Sequence, residues 1–294
     1  MKSSPLVSII MNCYNGEDYL IESINSIFNQ TYTNWELIFW DNLSTDSSKK
    51  IIKNLSDTRI RYFRSKEHTK LYAARNLALE KCTGEYVCFL DTDDLWQKKF
   101  LEESIKCHEI KPKAGLSFSK FNFINEKKFS FRNLKNYLPS ARKYTTPTME
   151  QVSKNYDIGM LTIFFKRDFI NEYKISFNPN FNIIGDLDLV FKFLSKAPIV
   201  KINKVLASYR IHNSNLSASS LDDQCHELED FISNQSDLFS SNQSLINLAQ
   251  RIRYIKIFKE IPKLQILQLI QEIKKINSFL KKIKLLTHFI RLRT

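Results

Sequence analysis

Within its first hundred residues the chain alternates between two hydrophobic periods, and no other feature limits its fold so strongly. Short apolar runs at 6–11 (LVSIIM), 35–40 (WELIFW), 60–63 (IRYF) and 86–90 (YVCFL) lack a clean in–out alternation, the pattern of strands covered on both faces. Between them Tyr19, Leu20, Ser23, Ile24, Ile27 and Phe28 follow helical i, i+3/i+4 spacing. Leu71, Ala74, Leu77 and Ala78 do the same ahead of a break at Thr83-Gly84. Strand and helix in turn predict βαβ units, right-handed crossovers and a Rossmann-like, mostly parallel sheet flanked by helices. Such sheets bind ligands beyond the carboxyl ends of their strands.

Those strand ends are polar. The first runs into Asn12-Cys13-Tyr14-Asn15-Gly16, the second into Asp41-Asn42-Leu43-Ser44-Thr45-Asp46, and the fourth into Asp91-Thr92-Asp93-Asp94. In FLDTDDLW (89–96), three aspartates fall within four positions, so helix N–H groups, solvent or a cation must offset their repulsion. Helix capping suits Asp94, with a helix expected to start near Leu95, but not the other two. A calcium loop of the EF-hand kind needs Gly where Trp96 stands. An aspartyl-nucleophile phosphatase would want a hydroxyl residue where Leu95 stands. Beside that phosphatase reading stands a fourth, a DxD site in which Asp91 and Asp93 flank Thr92 and hold Mg²⁺ or Mn²⁺ against a diphosphate.

Residues 115–165 are richer in Phe, Lys and Asn and read as a less regular, substrate-facing insertion. IIGDLDLVFKFLSK (183–196) reads as a loop entering a helix with Asp186 or Asp188 in its first turn. VLASYRIHNSNLS (205–217) reads as a strand and a polar turn, after which the pattern is helical. The five cysteines form no CxxC pair and read as reduced, buried small hydrophobes. The N-terminus lacks a signal-peptide pattern, and no window has the ~18 uninterrupted apolar residues of a membrane span. A cytoplasmic protein is the expectation.

At this point the sequence resembles the family 2 glycosyltransferases of the GT-A fold. The resemblance rests on an ordered series of motifs: residues 7–48 with the Tyr-Asn turn and the Ser-Thr-Asp loop, AARNLALEKCTGEYVCFLDTDDLW (73–96), IIGDLDL (183–189) and YRIHNSNLS (209–217). It covers about residues 5–217. It implies a GT-A domain over 1–217, a C-terminal helical extension over 218–294, and an inverting sugar transfer. The donor would be a nucleoside-diphosphate sugar, a UDP-sugar being favoured, and the acceptor a glycan or lipid-linked glycan in cell-surface polysaccharide synthesis.

Residue by residue, the resemblance places Cys13, Tyr14 and Asn15 against the nucleotide and Asp41, with Asn42 beside it, at the base or ribose. It places Arg75 near the nucleotide, Asp91 at the ribose or metal, and Asp93 as the firm metal ligand. Asp186 matches the general base, with Asp188 as fallback. Arg210 and His212 fall where the chain can return to the diphosphate or the cation. The implied chemistry is coherent: a cation stabilises the departing diphosphate, and one carboxylate suffices for a single in-line displacement. Two departures stand out. Many members carry Asp-Asp where this chain has Asp41-Asn42, and Glu-Asp where it has Gly185-Asp186. The rival readings are a phosphoryl- or nucleotidyl-transferase using the same acidic rim, and an inactive basic peripheral adaptor.

The net charge of +13 is concentrated at one end, because residues 251–294 hold 12 Lys/Arg against two Asp/Glu. Ile266, Leu269, Ile270, Ile273, Ile276, Leu280, Ile283 and Leu286 recur at helical spacing among lysines. One reading is an amphipathic helix on the anionic inner face of a membrane; the other is a helix packed on the catalytic domain with a solvated basic face. No stacking pattern or binding motif points to nucleic acid.

Overall fold

The structure, a computed structural model, describes residues 4–125, 143–212, 214–216, 221–234, 236–239 and 242–260, together with 268, 272 and 274–276. Most of the amphipathic stretch expected over 261–292 therefore lies outside the described residues. The chain forms two compact units, residues 1–148 with 157–213, and residues 149–156 with 214–294.

The first unit opens as the hydrophobic periods predict, with β1 (Val7–Cys13), α1 (Leu20–Phe28), β2 (Trp35–Asp41), α2 (Ser48–Lys53), β3 (Ile60–Arg64), α3 (Leu71–Leu79) and β4 (Tyr86–Phe89). It continues through β5 (Leu95–Trp96), α4 (Phe100–Ile110), β6 (Leu116–Asn125) and β7 (Tyr144–Thr145). After α5 (Met149–Lys154), which belongs to the second unit, come β8 (Ile163–Lys166), α6 (Arg167–Tyr173), α7 (Gly185–Leu194) and β9 (Ile199–Ile211).

The strands form one sheet in the order β3-β2-β1-β4-β8-β6-β9-β5, with β7 also on β9. β1 to β4 are mutually parallel, and β6 runs parallel to β9, while β8, β5 and β7 run antiparallel to their neighbours. Every residue of β2 and β4 is buried, which explains why those runs show no alternation. The order reverses between β1 and β4, so the carboxyl ends of those two strands flank the switch point where sheets of this kind hold ligands.

The structure corrects two expectations. Residues 116–125 and 163–166 are not part of an irregular insertion; they supply central strands of the sheet. Leu95 does not begin a helix. Leu95 and Trp96 pair antiparallel with Ser208 and Ala207 of β9, and α4 starts only at Phe100. The Trp96 ring stacks on Phe100 with centroids 4.2 Å apart, and its indole N–H reaches the Leu161 carbonyl at 2.7 Å. Burying that ring with its N–H satisfied outweighs the local tendency of Asp-Asp-Leu to open a helix.

The second unit is helical, with α8 (Leu221–Asn234) and α9 (Asn242–Glu260) joining α5. Asn247 of α9 donates to the Glu150 carbonyl and the Ser153 hydroxyl of α5. Among the described residues no helix is long and apolar enough to cross a membrane.

Candidate active site

The four parallel strands deliver Cys13–Asn15, Asp41-Asn42, Arg64 and Asp91 to one rim. Asn15 takes a left-handed backbone, φ 52°, which a short amide side chain tolerates. Its Oδ1 accepts from the Thr45 N–H at 2.8 Å and so binds the first rim loop to the second. Gly16 lies against the DxD turn, where a Cβ would fall 2.8 Å from the Thr92 hydroxyl. Tyr14 is 55% exposed and meets His68 edge-on, with centroids 4.3 Å apart. Tyr14 is thus a surface aromatic and not a core one, and His68 is a rim residue that the motifs did not single out.

Two residues expected to meet the nucleotide are turned inward. Cys13 is buried with its thiol 3.6 Å from the Ser44 hydroxyl, and burial pushes its pKa up. Asp41 is fully buried and accepts from the Arg64 guanidinium and the Tyr62 hydroxyl, each at 2.6 Å, and from the Ser44 N–H at 2.7 Å. In this arrangement Asp41 organises the rim, and the half-exposed Arg64 is what it presents. Asn42 uses both ends of its amide on Thr69, donating to the carbonyl at 2.8 Å and accepting from the N–H at 3.2 Å. A carboxylate could not make the first of these bonds, which gives the Asp41-Asn42 departure a structural cause.

The three aspartates of the 91–94 turn have three environments. Asp91 is about one-third exposed and bound at 2.6 Å by Arg75, a guanidinium that is itself buried and lies over the Tyr72 ring. Its carbonyl is held by the Ser23 hydroxyl of α1 at 2.9 Å. Asp93 is one-quarter exposed and lies 2.8 Å from His212 Nε2, just beyond the end of β9. Burial, then the neighbouring charge of Asp91, raises the Asp93 pKa, while the hydrogen bond to His212 opposes the shift. Asp94 is buried and holds the Arg210 N–H at 2.9 Å, while its Oδ2 has no partner among the described residues. It therefore ties the DxD turn to β9 and does not cap a helix. Burial and the charges of Asp93 and Asp91 drive its pKa well above the usual range.

Arg210 is placed differently from the expectation of an open diphosphate contact. Its Nε donates to the Asp93 carbonyl at 2.9 Å, its Nη2 to Glu22 at 2.6 Å, and the guanidinium sits over Tyr19. It braces the backbone of the turn.

Across α3 stands the second carboxylate. Asp186, in the first turn of α7, is half-buried, and its Oδ1 accepts from the Leu187 N–H at 2.7 Å. Asp188, the fallback base, is fully buried, paired with Lys192 at 2.7 Å and accepting from the Asn178 N–H. That assignment is a structural one. The Ala-Arg-Asn motif also becomes physical here: Arg75 holds Asp91, while Asn76 exchanges two hydrogen bonds of 3.0 Å with the backbone of Phe177, on the way to α7.

Asp91 and Asp93 supply hard carboxylate oxygens of the kind that Mn²⁺ or Mg²⁺ takes, with the His212 imidazole beside Asp93. A cation would also relieve the repulsion that raises Asp93. Among the described residues no three His, Cys, Asp or Glu side chains already converge as a complete metal cluster. A site of one or two carboxylates completed by phosphate oxygens is the usual arrangement for Mg²⁺.

A doubly covered, largely parallel sheet with this acidic rim is the architecture of the GT-A transferases. Residues 8–173 match the family described as Glycosyl transferase family 2. The chain is 30% identical over 218 residues, 73% of its own length and 82% of the other's, to TuaG of Bacillus subtilis (strain 168), a glycosyltransferase named for teichuronic acid biosynthesis. It is also 30% identical over 237 residues, 78% of its length and 87% of the other's, to WfgD of Escherichia coli. WfgD is named a UDP-Glc:alpha-D-GlcNAc-diphosphoundecaprenol beta-1,3-glucosyltransferase. In fold it resembles residues 1–349 of S. aureus TarS solved with UDP-GlcNAc, at a TM-score of 0.65 over 97% of this chain and 81% of that one, with 16% identity. The chain therefore belongs to glycosyl transferase family 2 and is a glycosyltransferase.

Proposed function

We propose that the protein moves a sugar, with inversion, from a nucleoside-diphosphate donor to a lipid-linked or growing glycan in cell-surface polysaccharide synthesis. The observation that carries this reading is the placement of Asp91 and Asp186 on two residues of one helix face, Arg75 and Tyr72 of α3. A UDP-sugar is the favoured donor and a lipid diphosphate sugar the favoured acceptor. WfgD is named for both, and TarS has been solved with UDP-GlcNAc.

In this reading Asp186 takes the proton of the acceptor hydroxyl as its oxygen attacks the anomeric carbon. The bond from that carbon to the diphosphate oxygen breaks on the opposite side, and one displacement inverts the centre. Asp93, Asp91 and His212 would hold Mn²⁺ or Mg²⁺, which when bound supplies a Lewis acid for the negative charge of the leaving diphosphate. Arg75 holds Asp91 in place, and Arg210 and Asp94 hold the backbone of the turn. The exposed Tyr14 ring, met edge-on by His68, offers an aromatic face to the base.

A thermal-shift screen of UDP, GDP and their sugars, with and without Mn²⁺, tests the nucleotide and the metal together. Stabilisation by a UDP compound that requires the cation is the expected result. Its absence for every nucleotide would remove the metal-assisted mechanism. Transfer from UDP-glucose or UDP-N-acetylglucosamine to a synthetic lipid diphosphate sugar then tests the acceptor. Peripheral membrane binding through 251–294 belongs to the same proposal. Sedimentation with phosphatidylglycerol vesicles should weaken in a Lys281→Glu/Lys282→Glu/Lys284→Glu variant.

A further inference from the structure

α3 lies along the segment that leads into α7 and is fastened to it throughout. Lys70 Nζ reaches the Asn180 carbonyl at 2.8 Å, the Leu71 N–H reaches Asn182 Oδ1 at 3.3 Å, and Asn76 holds Phe177. At the centre of this seam is Tyr72, which is buried. Its hydroxyl accepts the Asp186 N–H at 3.2 Å and donates to the Ile183 carbonyl at 3.4 Å.

The Asp186 N–H is one of the four helix-start donors that lack a partner within the helix, and no side chain of the N-cap residue, Ile184, can serve it. The tyrosine ring fills the space beside Gly185 so closely that a Cβ there would lie 2.4–2.5 Å from three ring carbons. The Arg75 guanidinium stands over the same ring at 5.0 Å, one helical turn from Tyr72. Asp186, Tyr72, Arg75 and Asp91 thus form one electrostatically connected row.

We propose that Tyr72 is a positioning residue for the catalytic carboxylate. Its hydroxyl caps the Asp186 N–H and its ring, seated on Gly185, sets where the first turn of α7 begins. α3 then acts as a ruler, with Tyr72 fixing Asp186 and Arg75, three residues on, fixing Asp91. The proposal rests on Asp186 being the general base. It goes further by naming what holds that base at a set distance from the DxD turn, and why position 185 has no side chain. Tyr72 does not touch the donor, so its contribution belongs to turnover and not to donor binding.

Tyr72→Phe keeps the ring and removes the hydroxyl. It should lower kcat roughly tenfold with donor KM within about twofold of wild type, because misplacing a reacting group by about 1 Å can cost up to ~10²-fold. The thermal midpoint should stay near the wild-type value. Hydrogen exchange of a peptide spanning 183–190 should be faster in Tyr72→Phe than in wild type. Gly185→Ala should be nearly inactive, whereas Tyr72→Leu/Gly185→Ala, in which the ring no longer blocks the methyl, should recover part of that loss. Unchanged exchange and unchanged kcat in Tyr72→Phe would overturn the proposal, as would a double variant less active than Gly185→Ala alone. If wild type transferred no sugar from any donor, the functional reading would fail. The exchange measurement would still decide the Tyr72 contact: faster exchange upholds it, and unchanged exchange rejects it.

Discussion

The turn at 91–94 and the first turn of α7 each carry more carboxylates than one task needs, and the two regions divide them alike. Each keeps one aspartate buried for structure, Asp94 and Asp188, and leaves another partly exposed, Asp93 and Asp186. The buried members differ in how their charge is met. Asp188 has a lysine one turn away and a backbone N–H. Asp94 has one backbone N–H from Arg210 and two like charges beside it. Each aspartate keeps one oxygen without a partner among the described residues, Oδ1 of Asp188 and Oδ2 of Asp94. The α7 pair therefore sets an ion-paired aspartate under the proposed base, whereas the DxD turn holds repulsion that a cation would relieve. Charge density alone does not define a site; the way each charge is compensated does.

The largest expected effects separate the exposed members. Asp93→Ala should abolish cation-dependent stabilisation by nucleotide in a thermal-shift assay. Asp186→Asn should leave that stabilisation intact while lowering kcat by ~10²–10⁴, the usual span for a general base. Full transfer by Asp186→Asn would break the comparison at its centre.

Next come the buried members. Lys192→Met strands the Asp188 carboxylate and should destabilise the fold by about 2–3 kcal/mol, less than a fully buried pair because Lys192 is partly exposed. Chemical denaturation measures this, and transfer by the folded fraction should persist. Asp94→Asn has the opposite sign. Its folded pKa lies above the unfolded value, so its stabilising contribution is full below the unfolded pKa and is lost as pH rises through the folded one. Without added cation, the melting point of Asp94→Asn relative to wild type should therefore rise between pH 4 and pH 8. A difference independent of pH would show that Asp94 is not the strained member.

The smallest effect is expected at Asn42. Asn42→Asp loses the hydrogen bond to the Thr69 carbonyl and should cost about 1 kcal/mol of stability. A change in nucleotide preference out of proportion to that loss would return position 42 to direct base recognition.

Much of this was legible from residue order. The alternating periods place β1 to β4 and α1 and α3 nearly where they occur, because strands buried on both faces and amphipathic helices leave different apolar spacings. The same spacing places Asp41 and Asp91 at strand ends. It does not show that Asp41 is enclosed by Arg64 and Tyr62, because those partners come from a neighbouring strand. Leu95-Trp96 reads as a helix start until β9, more than a hundred residues later, supplies its ladder. No motif singles out Tyr72 or His68, although Gly185 beside Asp186 signals that another side chain fills that space.

Residue order is enough for the fold class, the rim and the family, since each is written in local periodicity and in motifs a few residues long. Tertiary structure alone decided which carboxylates face outward. That choice depends on whether a lysine, an arginine or a backbone N–H from a distant segment arrives within hydrogen-bonding distance, and buried charge is tolerated only where one does.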